Sequence, residues 1–264
     1  MASLEKELLF AKKIATQAGN LLLTYFKNDL KIEYKTDNSP CTEADLASNH
    51  LIVNSLKQIF PEDSILSEEL GRTSEEKSFR TWTIDPLDGT LDFINGLNGF
   101  SVLVALLEDK TPILAVVYLP TEKKLYYAVK GQGAFIEFQD KTLPLTVSLI
   151  KQFSSATCVL PENNKDEIIA HLASKAQRKI FRGGFGSRIM TLVDGTADFC
   201  ISRGKVKIWD VAAPQLILEE AGGKITYLEG SKINYSFEDP IIGKILATNT
   251  HLHSQLLTLL EPTL

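Results

Sequence analysis

Apolar positions near the start of the chain recur every three or four residues, which is the spacing of one face of an amphipathic helix. A second stripe with the same spacing follows Thr42-Glu43-Ala44-Asp45, a sequence typical of a capped helix start, and Pro61 ends it. The polar segment KTDNSP separates the two stripes. The pattern therefore predicts two helices, and the first has these apolar positions: Leu4, Leu8, Ala11, Ala15, Ala18, Leu22 and Tyr25.

Short apolar runs follow the second helix and favour strands. Two of them, Ser64–Ser67 and Thr81–Ile84, lead directly into acidic residues. The apolar pattern loosens around Lys141–Lys151, so we expect an N-terminal half at residues 1–145 and a C-terminal half at residues 146–264. Before that boundary, short links between the remaining runs predict antiparallel hairpins: Phe100–Leu107, Ile113–Leu119, Leu125–Val129 and Ala134–Phe138.

Strand-like and helix-like segments alternate in the second half. Antiparallel hairpins followed by such alternation predict a layered α/β (α+β) architecture rather than an all-parallel sheet. The predicted strands lie near Ala156–Leu160, Ala197–Ser202, Lys224–Tyr227 and Ile245–Thr248. The predicted helices lie near Lys165–Ala176, Ser187–Val193, Asp210–Ala221 and His251–Leu260.

Composition excludes several classes of protein. The 264 residues are 44% hydrophobic and 23% charged, which is typical of a globular chain and excludes a disordered segment, a collagen-like fibre or a long coiled coil. A net charge of −5 provides no global positive field for a nucleic-acid polymer or an anionic membrane. The chain has three cysteines but no Cys-x-x-Cys motif, which predicts a reduced protein. It also shows no signal-peptide pattern, and its apolar runs are far shorter than the roughly 18 residues of a membrane span. We therefore expect a soluble, cytoplasmic protein.

The segment Asp85-Pro86-Leu87-Asp88-Gly89-Thr90 carries the most chemical information. A strand delivers Asp85 at its end, and Pro86 and Gly89 force a turn across which two carboxylates can converge. Backbone N–H groups near Gly89 and Thr90 can form an anion cradle, and the carbonyl of Leu87 is a further oxygen donor. Such donors suit Mg²⁺ better than zinc. A polar turn with solvated acids is the alternative.

Acidic residues follow two other predicted elements. Glu68 and Glu69 come after a short strand, and Asp210 lies at the start of a helix, where capping alone would explain it. Clustered carboxylates repel one another unless a cation or a proton neutralises them. Together with the Asp85–Asp88 turn, these acids predict a site for more than one Mg²⁺ ion.

Other catalytic chemistries fit the sequence poorly. It contains no G-x-x-x-x-G-K-[ST] loop, no H-E-x-x-H and no G-x-S-x-G motif. A haloacid-dehalogenase-type phosphatase has two aspartates two residues apart, the first of which is the nucleophile. Asp85 and Asp88 are three residues apart with a proline between them, which disfavours a phospho-aspartyl intermediate. His251 and His253 are interpreted as solvated residues.

Three segments resemble the signatures of the inositol monophosphatase superfamily of Mg²⁺-dependent phosphatases: TWTIDPLDGTLDF, SEE and KIWDVAAPQLILEEAGGKIT. The resemblance extends from the first helix to the final LATN segment. It implies a layered α-β-α-β-α fold with the active site between the two halves. It also implies a small phosphorylated substrate, and we expect a monomer or a homodimer.

The resemblance assigns roles to individual residues. It implies that Thr90 and Asp45 form a hydrogen-bonded pair that orients the attacking water with help from Glu68, and that Gly89, Thr90 and Asp210 contact the substrate. The metal ligands that it implies are the carboxylates of Glu68, Asp85, Asp88 and Asp210 and the carbonyl of Leu87.

The substrate remains open within the superfamily. The loop KTDNSPCTEAD and the serine of SEE resemble the 3′(2′),5′-bisphosphate nucleotidase branch. That branch has a lysine that binds the second phosphate of the substrate, and this chain has Arg188 at the matching position, which keeps the positive charge. The basic residues Arg203, Lys205 and Lys207 also suit an anionic substrate. We therefore favour hydrolysis of 3′-phosphoadenosine 5′-phosphate to AMP and phosphate. The ending ILATNTHLHSQLL resembles inositol monophosphatases equally well, which keeps an inositol-1-monophosphatase or a sugar- or histidinol-phosphate phosphatase as the alternative. A metal-binding regulatory protein with little activity is the candidate from another class.

Overall fold

A computed structural model describes residues 4–72 and 79–261, apart from the side chain of Lys205. Its α-helices are α1 Glu5–Tyr25, α2 Glu43–Ile59, α3 Thr90–Ile94, α4 Glu167–Lys175, α5 Phe185–Val193, α6 Ile208–Glu220 and α7 His253–Leu260. Its strands in the first half are β1 Ile32–Tyr34, β2 Pro40–Thr42, β3 Ser64–Ser67, β4 Gly71–Arg72, β5 Arg80–Asp88, β6 Ser101–Glu108, β7 Thr111–Leu119, β8 Lys124–Val129, β9 Ala134–Phe138 and β10 Lys141–Leu145. A short 3₁₀ helix at Phe153–Ser155 precedes the others, β11 Thr157–Leu160, β12 Arg178–Phe181, β13 Phe199–Lys207, β14 Lys224–Tyr227 and β15 Ile241–Thr248.

Three apolar clusters hold five layers together. The first cluster lies between helices α1 and α2 and one face of the larger sheet. The second lies between the other face of that sheet, helices α5 and α6, and the smaller sheet. The third joins the far face of the smaller sheet to α4 and α7. This order confirms the layered α-β-α-β-α architecture.

The larger sheet has the order β10-β9-β8-β7-β6-β5-β3-β4. The hairpins from β6 to β9 are antiparallel, as the short links predicted. Strand β3 is the exception, because it pairs in parallel with β5 and both strands therefore end at the same edge. This pairing decides where two of the acidic segments meet.

The smaller sheet has the order β12-β11-β13-β15-β14 and is mixed. Strand β11 is parallel to both neighbours, whereas β15 is antiparallel to β13 and β14. The larger sheet ends at Leu145 and the smaller one begins at Thr157. Helices α5 and α6 of the second half pack on the larger sheet of the first half, so the two halves share one apolar cluster. The division into two domains stays a prediction.

The predicted start of helix α2 is confirmed by its capping hydrogen bonds. The Thr42 side chain accepts hydrogen bonds from backbone N–H groups of α2 while Asp45 accepts one from the Thr42 N–H, which confirms the predicted helix start. The loosened stretch at Lys141–Lys151 was interpreted as a boundary, yet Lys141–Leu145 forms the edge strand β10. Its residues are mostly exposed, so no alternation of burial marks the strand.

Two single-residue expectations have different outcomes. The three cysteines are buried and free of disulfides. The interpretation of both C-terminal histidines as solvated was wrong for His253, which is 1% exposed and contacts Thr226 and Thr248, whereas His251 is exposed.

No helix in residues 4–72 and 79–261 combines the length and the apolar character that crossing a membrane requires.

Candidate active site

Strand register places the first two acids side by side. Ser67 of β3 is the partner of Ile84 of β5, and the N–H of Glu68 continues the parallel ladder to the Ile84 carbonyl at 3.1 Å. Glu68 and Asp85 are therefore adjacent at one sheet edge. The Ser67 hydroxyl also donates to the Asn49 side chain on α2, which anchors the end of β3.

The third acid comes from the other half of the chain. Asp210 lies in the first turn of α6, where its Oδ2 accepts a hydrogen bond of 2.7 Å from the Lys207 N–H. The helix starts at Ile208, earlier than the predicted Asp210, so Asp210 is its third residue and binds back to the N-cap residue instead of being the cap itself. One of its carboxylate oxygens also lies near the acids at the edge of the larger sheet.

Three of the predicted carboxylates converge. Oxygen atoms of Glu68, Asp85 and Asp210 all lie within 4.8 Å of one another. Burial raises the pKa of Asp85 well above its usual value, and the charges of Glu68, Asp88 and Asp210 raise it further. Desolvation and the Glu68 charge raise the pKa of Asp210 to about 7. The group therefore concentrates negative charge that a proton or a cation must balance.

Asp88 lies outside this group, although its charge acts on both neighbouring aspartates. Its Oδ1 accepts the Phe185 N–H at 2.8 Å, and its Oδ2 accepts the Gly186 N–H at 2.8 Å and the Ser101 hydroxyl at 2.7 Å. These bonds direct the carboxylate to the start of α5. Burial raises its pKa, and the same hydrogen bonds and the nearby Arg188 charge offset part of that rise. The metal-binding role of Asp88 stays a prediction.

Glycines make this contact between halves possible. Gly89 adopts φ +88°, and a Cβ there would lie 2.9 Å from the Cα of Gly184. A Cβ on Gly184 would lie 2.7 Å from Asp88 Cγ and 2.8 Å from the Asp88 carbonyl. The N–H of Gly184 also donates to the Gly99 carbonyl at 2.7 Å. Only residues without side chains let α5 approach the acidic turn this closely.

The predicted water-orienting residues are in contact. Thr90 Oγ1 lies 3.1 Å from Asp45 Oδ1 and 3.1 Å from the Leu87 carbonyl. The other Asp45 oxygen accepts the N–H and the hydroxyl of Thr42. Burial raises the pKa of Asp45 to about 6, with a further contribution from the Glu69 charge, while its hydrogen bonds act in the opposite direction. Asp45 therefore holds Thr90 at the edge of the carboxylate group.

A lysine that sequence reasoning did not single out lies among the acids. Lys35 Nζ is 2.9 Å from Glu68 Oε1 and 2.7 Å from Glu69 Oε1. Burial lowers the pKa of Lys35, but the two glutamates outweigh it and raise the value overall. The only signal in the sequence was a lysine in a polar loop, which is too common to indicate a site.

The predicted substrate-binding cations are mostly engaged within the protein. Arg188 NH1 donates to the Gly183 carbonyl at 2.5 Å. Arg203 Nε lies 3.0 Å from Asp166 Oδ2. The side chain of Lys205 lies outside the described part of the structure. The structure thus brings the positive charge of Arg188 close to Asp88, and it pairs Arg203 with an acid at the start of α4.

The sequence profile of the inositol monophosphatase family matches residues 3–263. This chain belongs to that family. It is 32% identical over 235 residues to the 3′(2′),5′-bisphosphate nucleotidase CysQ of Aggregatibacter actinomycetemcomitans, with 87% of each chain covered. It is 32% identical over 265 residues to the histidinol-phosphatase of Mycobacterium tuberculosis, covering 97% of this chain and 98% of that one. The structure of a Thermotoga maritima IMPase covers 97% of each chain with a TM-score of 0.86 and 26% identity.

These similarities make the chain a phosphatase of the inositol monophosphatase family. They do not separate the substrates, because relatives with different named activities are equally similar to it.

Proposed function

We propose that this protein is a Mg²⁺-dependent phosphomonoesterase that transfers the phosphoryl group of a small ester directly to water. The observation that carries the proposal is the convergence of Glu68, Asp85 and Asp210 within 4.8 Å. The donors are carboxylate oxygens without sulfur or imidazole, which suits Mg²⁺. The raised pKa of the two aspartates reflects a crowding of negative charge that a divalent cation would relieve. These residues therefore fit the ion.

Glu68, Asp85 and Asp210 would hold the ion, with Asp88 and the Leu87 carbonyl as further candidate ligands. Bound Mg²⁺ would supply neutralisation of the phosphate charge and a lowered pKa of bound water. The chain's own residues position the reactants.

We assign the orientation of the attacking water to Thr90 and Asp45, with help from Glu68. The Thr90 hydroxyl donates a hydrogen bond to Asp45, which leaves the lone pairs of the Thr90 oxygen free to accept a hydrogen bond from the attacking water. We assign contacts with the phosphate oxygens to the backbone N–H groups of Gly89 and Thr90 and contacts with the substrate to Asp210. Positioning of this kind needs no covalent phosphoenzyme.

A phosphate-release assay tests the proposal. Wild-type protein should release phosphate from at least one small ester with Mg²⁺ and none after chelation with EDTA. Asp85→Asn should abolish turnover, while Asp29→Asn, the same change at an exposed residue, should leave it intact. Turnover in EDTA, or full activity of Asp85→Asn, would reject the metal-dependent reaction.

Within this reaction class we favour a nucleoside 3′,5′-bisphosphate as the substrate. Similarity to a CysQ nucleotidase supports this choice. Arg188 supplies positive charge next to Asp88 and Asp92: burial raises the pKa of both carboxyl groups, and the Arg188 charge offsets part of that rise. A guanidinium can bind a second phosphate through paired N–H groups.

A monophosphate of inositol, another sugar or histidinol is the second candidate. It is favoured by the pairing of Arg203 with Asp166 and of Lys207 with Asp37, because both pairs reduce the positive charge available to a second phosphate. Similarity to a histidinol-phosphatase supports the same alternative.

Arg188 variants separate the two candidates. If Arg188 binds a second phosphate, Arg188→Ala should raise KM at least tenfold for 3′-phosphoadenosine 5′-phosphate and much less for inositol monophosphate or histidinol phosphate. Arg188→Lys should restore part of the loss. Equal effects on all three substrates would reject the nucleotide assignment, and comparison of wild-type kcat/KM would then identify the preferred monophosphate.

A further inference from the structure

The loop between β1 and β2 connects two sides of the carboxylate group. We call residues 35–39 the strap. At one end, Lys35 Nζ contacts Glu68 and Glu69. Further along, Asp37 Oδ2 lies 3.2 Å from Nζ of Lys207, the residue whose backbone N–H binds Asp210. The strap therefore reaches both the Glu68 side and the Asp210 side of the candidate metal centre.

The strap has its own internal order. The Lys35 N–H donates to the Ser39 carbonyl at 2.9 Å, and the Asn38 N–H donates to the Lys35 carbonyl at 2.9 Å. Asp37 Oδ1 accepts the Ser39 N–H at 3.1 Å and its hydroxyl at 2.6 Å. These bonds fix the Asp37 carboxylate relative to Lys35. An ion pair that holds Asp37 in place therefore also restrains the position of Lys35.

Lys207 is placed to hold the strap rather than to face solvent freely. Its ammonium lies 5.3 Å from the centroid of the Trp209 ring as well as beside Asp37. Its side chain is 23% exposed, compared with 51% for Asp37. Partial burial makes such a pair stronger than a fully exposed one.

We propose that Asp37 and Lys207 form a positioning pair that fastens the strap across the carboxylate group and thereby keeps the Lys35 ammonium on Glu68. Lys207 then acts through Asp37 and Lys35 instead of binding substrate. The strap itself follows from the contacts alone, whereas its effect on metal binding rests on the proposed function. A fastened Lys35 competes with a divalent cation for Glu68, because both neutralise the same carboxylate.

Limited trypsin digestion in EDTA tests the fastening without any metal. Cleavage after Lys35 requires the strap to open, so Asp37→Asn and Lys207→Met should each raise its rate about twofold to fivefold, the range expected for one partly exposed ion pair. The double variant should cleave no faster than either single variant. Lys207→Arg, which keeps the charge, should behave like wild type. Glu33→Gln, which breaks the exposed Lys31–Glu33 pair of the same hairpin, should also leave the rate unchanged.

Mn²⁺ titration then tests the consequence for the ion. Charge alone predicts opposite effects, since loss of Asp37 removes a negative charge and loss of Lys207 removes a positive one. The positioning pair predicts that both variants bind Mn²⁺ more tightly, by about twofold to fivefold, because both release Lys35 from Glu68. Opposite shifts in Mn²⁺ affinity, or unchanged cleavage after Lys35, would overturn the proposal. Failure of wild-type protein to bind Mn²⁺ would instead reject the proposed function, while the cleavage assay would still test the strap.

Discussion

The hydroxyl oxygen of Thr90 lies 3.1 Å from Oδ1 of Asp45, a residue 45 positions earlier in the chain. This contact joins the first turn of α3 to the first turn of α2 beside the carboxylate group. Asp45 lies in the capped start of α2, and Thr90 is the first residue of α3, which follows the tight turn at Gly89, so both backbones are held independently of the contact. The pair is therefore positioned before substrate binds.

We expect Thr90→Ala and Asp45→Asn each to lower kcat about 100-fold or more, because loss of an oriented proton acceptor typically costs that much. KM should change little, because we assign both side chains to the attacking water, and the proposed substrate contact of Thr90 is made by its backbone N–H. Thr90→Ser keeps the hydroxyl and should retain most activity. Steady-state kinetics with a thermal melt of each variant checks this, and a folded Thr90→Ala variant with wild-type kcat would contradict it.

The pH dependence of kcat should report Asp45. Its pKa of about 6 means that the carboxylate gains a proton as the pH falls below that value and then accepts the Thr90 hydroxyl less well. We expect kcat to fall below about pH 6 in wild-type protein. The residual activity of Asp45→Asn should lack that limb, and an identical pH profile in both proteins would remove Asp45 from this role.

The carboxylate group should make the metal-free protein less stable as the pH rises. Because the pKa of Asp210 is raised to about 7, the folded protein retains a proton that the unfolded chain loses near pH 4. This contribution is fully present below about pH 4 and is lost as the pH rises through 7. In EDTA, Asp210→Asn should therefore flatten the fall in Tm between pH 4 and 7. Mg²⁺ should raise the wild-type Tm more at pH 7 than at pH 5, because fewer protons compete for the carboxylates.

His253 should have the opposite effect. It lies between Thr226 and Thr248, each 3.0 Å from one ring nitrogen, and burial lowers its pKa to about 4. The unfolded chain gains the proton near pH 6.5, so stability is lost as the pH falls from 6.5 to 4, by up to about 3 kcal/mol at 1.36 kcal/mol per pKa unit. His253→Gln should lower stability at pH 7 but remove this acid dependence. Denaturant unfolding at several pH values checks the prediction, and a parallel pH dependence in both proteins would refute it.

Gly184 should tolerate no side chain. A Cβ there would lie less than 3.0 Å from atoms of Asp88, so Gly184→Ala must displace either α5 or the acidic turn. We expect a loss of about 2 kcal/mol or more in the free energy of unfolding, together with weaker Mn²⁺ binding. Gly204→Ala is the matched control, because a Cβ at that position has no atom within 4 Å among the described residues other than its chain neighbours. Equal stability of the two variants would show that the close approach of Gly184 to Asp88 has no energetic consequence.

Local chemistry made much of the fold predictable. The Thr42–Asp45 capping box marks the start of α2 because its hydrogen bonds involve neighbours in sequence. The hairpins from β6 to β9 were recognisable because short links leave antiparallel pairing as the simplest connection. β10 was missed because an edge strand with exposed residues has no apolar alternation.

The sequence alone determined which residue types could serve the chemistry, namely oxygen donors at the ends of strands and at the start of a helix. Tertiary structure decided which of them meet. Glu68 lies beside Asp85 because β3 pairs in parallel with β5, whereas Asp88 turns toward the N–H groups of Phe185 and Gly186, almost 100 residues away. Lys35, a lysine in a polar loop, became part of the site through contacts with Glu68 and Glu69. Periodicity and capping reflect interactions between near neighbours, but the direction of a side chain at a junction depends on packing between distant segments.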